Sequence, residues 1–133
     1  MQNDFSKHFA VCAAALFLTG APALAQDAQD AQDARGEWLR DNGRSRVRIG
    51  NCGEHLCGTI SWLADRSGPS KVGQRVLYNM KQTGAGKWSG NAFNPEDGKT
   101  YSGSMTISGN ALITSGCVLG GLICRSVNWT RTK

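Results

Sequence analysis

Turn signals recur at short intervals along residues 36–131, and the runs between them alternate apolar with polar side chains. Such a chain can fold into little except antiparallel β-structure. Asn42-Gly43 separates two such runs, and Asn-Gly suits a two-residue hairpin because both central positions need positive φ. Placing Asp41 opposite Arg44 sets Trp38 against Val47 and Glu37 against Arg48. Apolar residues then collect on one face, while opposite charges meet on the other. Treating Gly53-Glu54-His55-Leu56 as a four-residue turn puts Cys52 opposite Cys57, Ile49 opposite Ile60 and Val47 opposite Trp62, which extends the same apolar face.

In the second half, Pro95-Glu96-Asp97-Gly98 is a turn whose Pro presets φ and whose Gly tolerates positive φ. With Asn94 opposite Lys99, Ala92 meets Tyr101, Gly90 meets Gly103 and Trp88 meets Met105. Gly109-Asn110 next aligns Ile107 with Leu112, Met105 with Thr114 and Gly103 with Gly116. Gly120-Gly121 turns the chain once more, and if Cys117 faces Cys124, then Val118 meets Ile123, Gly116 meets Arg125, Thr114 meets Val127 and Leu112 meets Trp129. With the weaker run Arg75 to Met80, eight strands result, and no stretch carries a 3.6-residue period. The expected fold is all-β. A twisted meander of this kind loses its exposed edges by closing, so the expectation is a small antiparallel up-and-down barrel of about eight strands.

Ahead of this region, Lys7 precedes an unbroken apolar run, Phe9 to Leu18, and then Ala23-Leu24-Ala25. That is the pattern of a secretory signal, cleaved before Gln26. The apolar run is about half of the ~20 residues that cross a bilayer, so no membrane span is expected. Gln26 to Ala34 repeats Gln-Asp-Ala without an apolar face to bury. The expected organisation is a signal peptide at 1–25, a disordered tether at 26–35 and a β-barrel domain at 36–133, in a periplasmic or secreted protein that acts as a monomer.

Cysteine usage agrees with export. Cys12 leaves with the signal, and Cys52, Cys57, Cys117 and Cys124 remain. An even number in a small exported domain argues for two disulfides, with three connectivities open before structure is considered. The hairpin registers favour Cys52 with Cys57 and Cys117 with Cys124. Spacings of four and six intervening residues lack the Cys-x-x-Cys clustering of a zinc site, and neither metal nor cofactor is expected.

From Arg35 onward, 14 Lys and Arg stand against 6 Asp and Glu. This charge serves solubility and also favours anionic partners, of which export makes nucleic acid the least suited. No catalytic motif occurs. His55 is the only histidine after the signal and has no second histidine or free thiol to work with. Glu96 and Asp97 belong to a tight turn on which adjacent carboxylates diverge. Arg44, Arg46 and Arg48 form an outer stripe for which Asp41 and Glu37 are cross-strand partners.

Arg125 differs, because the alternation that buries Ile123, Val127 and Trp129 turns it inward too. A buried guanidinium needs a carboxylate, carbonyls, water or an anionic ligand. In these registers Gly90, Gly103 and Gly116 form one row ending at Arg125, which leaves space above it. Arg125 either fills that space, bonding backbone carbonyls, or receives the acid group of a ligand.

Gly36-Glu37-Trp38 on the first strand and Trp129-Thr130-Arg131 on the last resemble the lipocalin arrangement, in which a first-strand Trp packs beneath an Arg of the closing strand. The chain also resembles a bacterial exported family catalogued as a domain of unknown function, number 2147. That resemblance rests on Gly36-x-Trp38, Val47-x-Ile49, Cys52 with Cys57-Gly58-x-Ile60-x-Trp62-Leu63, Asn94 to Gly103, and Trp129-x-Arg131. It implies a small exported β-domain, brings no agreed activity, and fits the second cysteine pair less well.

Two function classes follow, neither of them enzymatic. In one, the barrel binds a small hydrophobic or anionic amphiphilic ligand, with Trp88, Met105, Leu112 and Trp129 against its apolar part and Arg125 on its acid group. In the other, the core is solid and the basic exterior binds an anionic envelope component or a protein.

Overall fold

The computed structural model describes residues 14–16 and 32–132. Apart from 14–16, the expected signal peptide and most of the Gln-Asp-Ala repeat lie outside the described residues. Eight strands follow one another: β1 (Gly36–Arg40), β2 (Ser45–Cys52), β3 (His55–Leu63), β4 (Arg75–Gly84), β5 (Lys87–Asn94), β6 (Lys99–Ser108), β7 (Ala111–Val118) and β8 (Ile123–Arg131). Each pairs antiparallel with the next, and β8 returns to β1, closing the barrel. The β1–β2, β3–β4, β5–β6 and β7–β8 connections therefore gather at one end. The other three turns and both ends of the barrel chain lie at the opposite end.

The registers of β1–β2, β5–β6, β6–β7 and β7–β8 are those read from the turns, including Trp38 opposite Val47, Trp88 opposite Met105, Met105 opposite Thr114 and Cys117 opposite Cys124. The β2–β3 hairpin is shifted by two residues from the expectation. Gly53, at φ 65, lets Gly53-Glu54 reverse the chain alone, so Cys52 lies opposite His55, Ile49 opposite Gly58 and Val47 opposite Ile60. His55 and Leu56 are strand residues, not turn residues. A bulge beside Val47 then pairs Arg46 with Trp62. Trp62 thus lies on the outer face, where the Arg46 guanidinium stacks 5.3 Å from the ring centroid. Cys52 and Cys57 still form a disulfide across diagonal positions, with Cα atoms 5.8 Å apart, and Cys117 bonds Cys124 with Cα atoms 4.1 Å apart.

One half of the barrel is packed solid. Trp38, Ile49, Met80, Met105 and Leu112 are fully buried there, with Trp88 and Ile107 beside them. The Gly90–Gly103–Gly116 row exists in the expected register, but at Gly90 and Gly103 it does not leave empty space. A Cβ at Gly90 would lie 2.6 Å from the Asn79 carbonyl oxygen, and one at Gly103 would lie 2.9 Å from both Ala92 N and Met80 Cε. Asn79 itself adopts φ 50 at a bulge in β4. These glycines let β4 fold down onto β5 and β6, which is close backbone approach rather than vacancy.

The seam between β1 and β8 is reinforced at both faces. Inside, Arg131 lies with its Cζ 4.3 Å from the Trp38 ring centroid, and its guanidinium donates to the carbonyls of Arg35 (3.0 Å) and Asp33 (2.6 Å). The Trp38 indole N–H donates to the Ala34 carbonyl at 2.8 Å. Ala34 is completely buried, so Asp33–Arg35 form a strap under the barrel, and the last residues of the expected tether are packed rather than free. Outside, Glu37 accepts from Arg46 (3.4 Å), Arg48 (3.2 Å), Ser61 (3.2 Å) and Thr132 (3.3 Å), joining β1 to β2, β3 and the end of β8. Arg44 has no ion pair with Asp41 among the described residues, and Glu37 takes both Arg46 and Arg48.

Desolvation by its neighbours pushes the Glu37 carboxyl up, yet the hydrogen bonds from Arg48, Ser61 and Thr132 and the charge of Arg46 outweigh it, and the net shift is downward.

Three outcomes follow for stability. Trp38→Ala should cost ~3–5 kcal/mol in chemical denaturation, as for a buried aromatic, and a loss under ~1 kcal/mol would contradict closure through this residue. Each disulfide closes a short loop and should contribute ~2–3 kcal/mol, and non-reducing peptide mapping should recover only the Cys52–Cys57 and Cys117–Cys124 links. Because its folded-state pKa is depressed, Glu37 stabilises the fold above the ordinary carboxylate range, and this contribution is lost as pH falls through the lowered value. Glu37→Gln should therefore flatten the acid limb of the Tm–pH curve. An unchanged limb would mean that Glu37 contributes nothing through its charge.

Candidate functional site

Above the packed half the inward side chains become smaller, and the barrel is hollow. Val47, Ile60, Ala92, Thr114, Gly116 and Val127 are the inward positions here, and they surround a cavity of ≈ 580 Å³ that reaches the loops at the open end. This is within the ~300–1,000 Å³ typical of small-molecule pockets. Trp129 and Thr114 meet deep within it, the indole N–H donating to Thr114 Oγ1 at 2.9 Å. That bond satisfies a hydroxyl whose residue is otherwise buried.

Of the residues expected to hold a ligand, the structure brings only Arg125 and Trp129 to this cavity. Trp88, Met105 and Leu112 belong to the solid half and do not line it. The β7–β8 and β5–β6 registers place all of them on the inward face, but a register does not say how far along the barrel axis the filling stops. Arg125 faces the cavity beside Gly116 and Tyr101, yet it is exposed and not buried. The open end lets water solvate its guanidinium, so the energetic demand for a buried partner does not arise.

A second cation is closer to the floor. Arg40 follows Trp38 by two positions, so strand alternation turns it inward, and it lies opposite Trp129 across the seam. Its Nε is buried without a hydrogen-bond partner, and it forms no ion pair among the described residues. The alternation that buries Trp38 was a sufficient signal for it, but a short first strand next to a turn gives an Arg at its end the look of a solvated cap.

Of the acids at the rim, Asp97 is committed to its own turn. Asp97 accepts from the Lys99 backbone N–H at 2.9 Å, and it takes a short hydrogen bond from the Tyr101 hydroxyl. The Tyr101 bond, followed by that of Lys99, lowers the Asp97 pKa. The same bond raises that of Tyr101, helped by desolvation and opposed by the charge of Arg125. Tyr101 is therefore a neutral donor held to Asp97 and beside Arg125, unsuited to act as a base. Asn94 Oδ1 caps the same turn through Glu96 N–H at 3.0 Å, so Glu96 and Asp97 serve turn geometry, as read from the sequence. His55 sits at the closed end, opposite Cys52. No group of three or more His, Cys, Asp or Glu side chains that could hold a metal occurs among the described residues, and no described helix is long and apolar enough to cross a membrane.

No curated protein is similar enough in sequence to count as a match. Among solved structures, protein HP1028 from the human pathogen Helicobacter pylori, described as belonging to the lipocalin family, superposes with a TM-score of 0.61 at 17% identity. The match covers 76% of this chain and 84% of that one, and it concerns the fold. The eight-stranded barrel, closed at one end by Trp38 and Arg131, is thus lipocalin-like. Residues 36–131 match the model of a family described as uncharacterized proteins conserved in bacteria, DUF2147, and the chain belongs to that family.

Proposed function

We propose that the protein is an exported carrier or sensor of a small anionic amphiphile, and that it binds rather than transforms its ligand. The observation that carries this reading is the pairing of the ≈ 580 Å³ cavity with two inward cations, Arg40 and Arg125, that form no ion pair among the described residues. A hydrocarbon segment would lie against Val47, Ile60, Leu77, Val127 and Trp129. A carboxylate or phosphate would accept from the guanidinium groups, which suit planar, bidentate recognition. The unpartnered Arg40 Nε is the kind of donor that a bound anion satisfies. Lipocalin-like architecture supports small-ligand binding, and the two disulfides fit an extracytoplasmic setting. The competing reading, a solid core with a purely external binding surface, is less favoured because a cavity of ≈ 580 Å³ opens at one end of the barrel.

Long-chain fatty acids should raise Tm more than neutral alcohols of equal length. At a free concentration of about 100 Kd the gain corresponds to ~2.7 kcal/mol. Arg40→Gln and Arg125→Gln should each reduce the preference for the acid, by ~1.5–3 kcal/mol where the lost hydrogen bond is to a charge and by less at the exposed Arg125. Equal shifts for acids and alcohols, or none across a broad panel, would overturn the proposal.

A further inference from the structure

The β7–β8 connection carries an apolar tip, in which Val118 and Ile123 line the cavity mouth while Leu119 and Leu122 touch no part of the cavity. Leu119 is 69% exposed, Leu122 85%, Ile123 55% and Val118 38%. No other connection of the described residues exposes so many large apolar side chains together; the β3–β4 loop, across the mouth at the same end, adds Val72 at 45%. The tip is also held in shape. Cys117 and Cys124 bond across its base, and Leu119, Gly120 and Gly121 take φ of 54, 66 and 93. A leucine in the left-handed region is disfavoured relative to glycine or asparagine. Neither the strained conformation nor the exposure of Leu119 benefits the folded barrel, which gains nothing from a leucine there.

What would cover this tip follows from size and charge. Four side chains cannot supply the ~800 Å² per partner of a standard protein interface, which argues against a second copy. A lipid surface makes no such demand, since apolar tips partition individually into the headgroup boundary while basic groups meet anionic lipid. The open end has that charge. Arg44, Arg66, Lys71, Arg75, Lys99 and Arg125 are all exposed there. Against them stand Asp41, Asp65, Glu96 and Asp97, which leaves the cations of the rim in excess by two.

We propose that the open end of the barrel docks on an anionic lipid surface, with Leu119, Leu122 and Ile123 entering the headgroup boundary and the basic rim meeting the lipid charge. Docked in this way, the mouth of the cavity faces the bilayer. The inference stands on the tip and the rim, and it does not depend on what the cavity holds.

Co-sedimentation of the protein with vesicles of equal parts phosphatidylglycerol and phosphatidylcholine, without added amphiphile, tests this. The protein should bind, and Leu119→Asn combined with Leu122→Ser should weaken binding by about tenfold or more at unchanged Tm. Asn is more at ease than Leu at positive φ, so a lost interaction would not reflect a damaged turn. Vesicles of phosphatidylcholine alone should bind more weakly. The proposal is overturned if the protein fails to bind the mixed vesicles, if the double variant binds them equally well, or if pure phosphatidylcholine binds as tightly. It is likewise overturned if sedimentation velocity shows that the tip instead holds a dimer that the double variant loses.

Discussion

The contact between Arg131 and Trp38 is the one on which the rest of the barrel depends. An eight-stranded meander has two free edges, and nothing in its hairpins makes the last strand return to the first. Here the closing strand brings a guanidinium over the first strand's indole, and the same guanidinium gathers the carbonyls of Asp33 and Arg35 beneath it. The cation is partly desolvated, yet its charge meets a ring face and two carbonyl oxygens, which answers the cost of removing it from water. Glu37 locks the same seam from outside through Thr132, whose backbone N–H also donates to the Glu37 carbonyl at 2.9 Å. Closure at this end is therefore both packed and hydrogen-bonded.

That concentration of stability permits the other half to be hollow. A domain of this size buries little surface, and an open cavity forgoes the dispersion contacts that a filled core would make. The large residues Trp38, Met80, Trp88, Met105, Ile107 and Leu112 are confined to the closed half, whereas small ones such as Ala92, Thr114 and Gly116 face inward above them. The two disulfides each join neighbouring strands, one at either end of the barrel. The Cys117–Cys124 bond in particular fixes a hairpin at the open rim, where packing is thinnest.

Much of this architecture was legible because the side-chain period of a strand is two and a tight turn sets its phase. Asn42-Gly43, Pro95 to Gly98 and Gly109-Asn110 each specify their loop length, so the pairings around them could be written down residue by residue. The β2–β3 hairpin could not, because Gly53-Glu54-His55-Leu56 is compatible with a two-residue or a four-residue turn, and the disulfide is satisfied by either an opposite or a diagonal pair. That choice shifts the register by two and leaves each side chain on its face; the bulge beside Val47 is what turns Trp62 outward. The site was less legible than the fold. Alternation turned Arg125 inward, but whether an inward residue is buried depends on where along the axis the core ends, and that is set by all eight strands together. A missing Cβ looks the same in sequence whether space is left open, as at Gly116, or filled by neighbouring backbone, as at Gly90 and Gly103. The inward position of Arg40 follows from that of Trp38 by the same alternation.

The four tryptophans divide these regions among themselves: Trp38 and Trp88 in the solid half, Trp62 on the outer face, Trp129 at the cavity. Their indole N–H signals in a two-dimensional NMR titration with dodecanoate test the division directly. A solid closed half beneath a ligand-binding open half requires the Trp129 signal to move with saturation as its bond to Thr114 is perturbed, while those of Trp38, Trp88 and Trp62 stay in place. Saturable movement of Trp38 or Trp88 without Trp129, or of Trp62 alone, would contradict it.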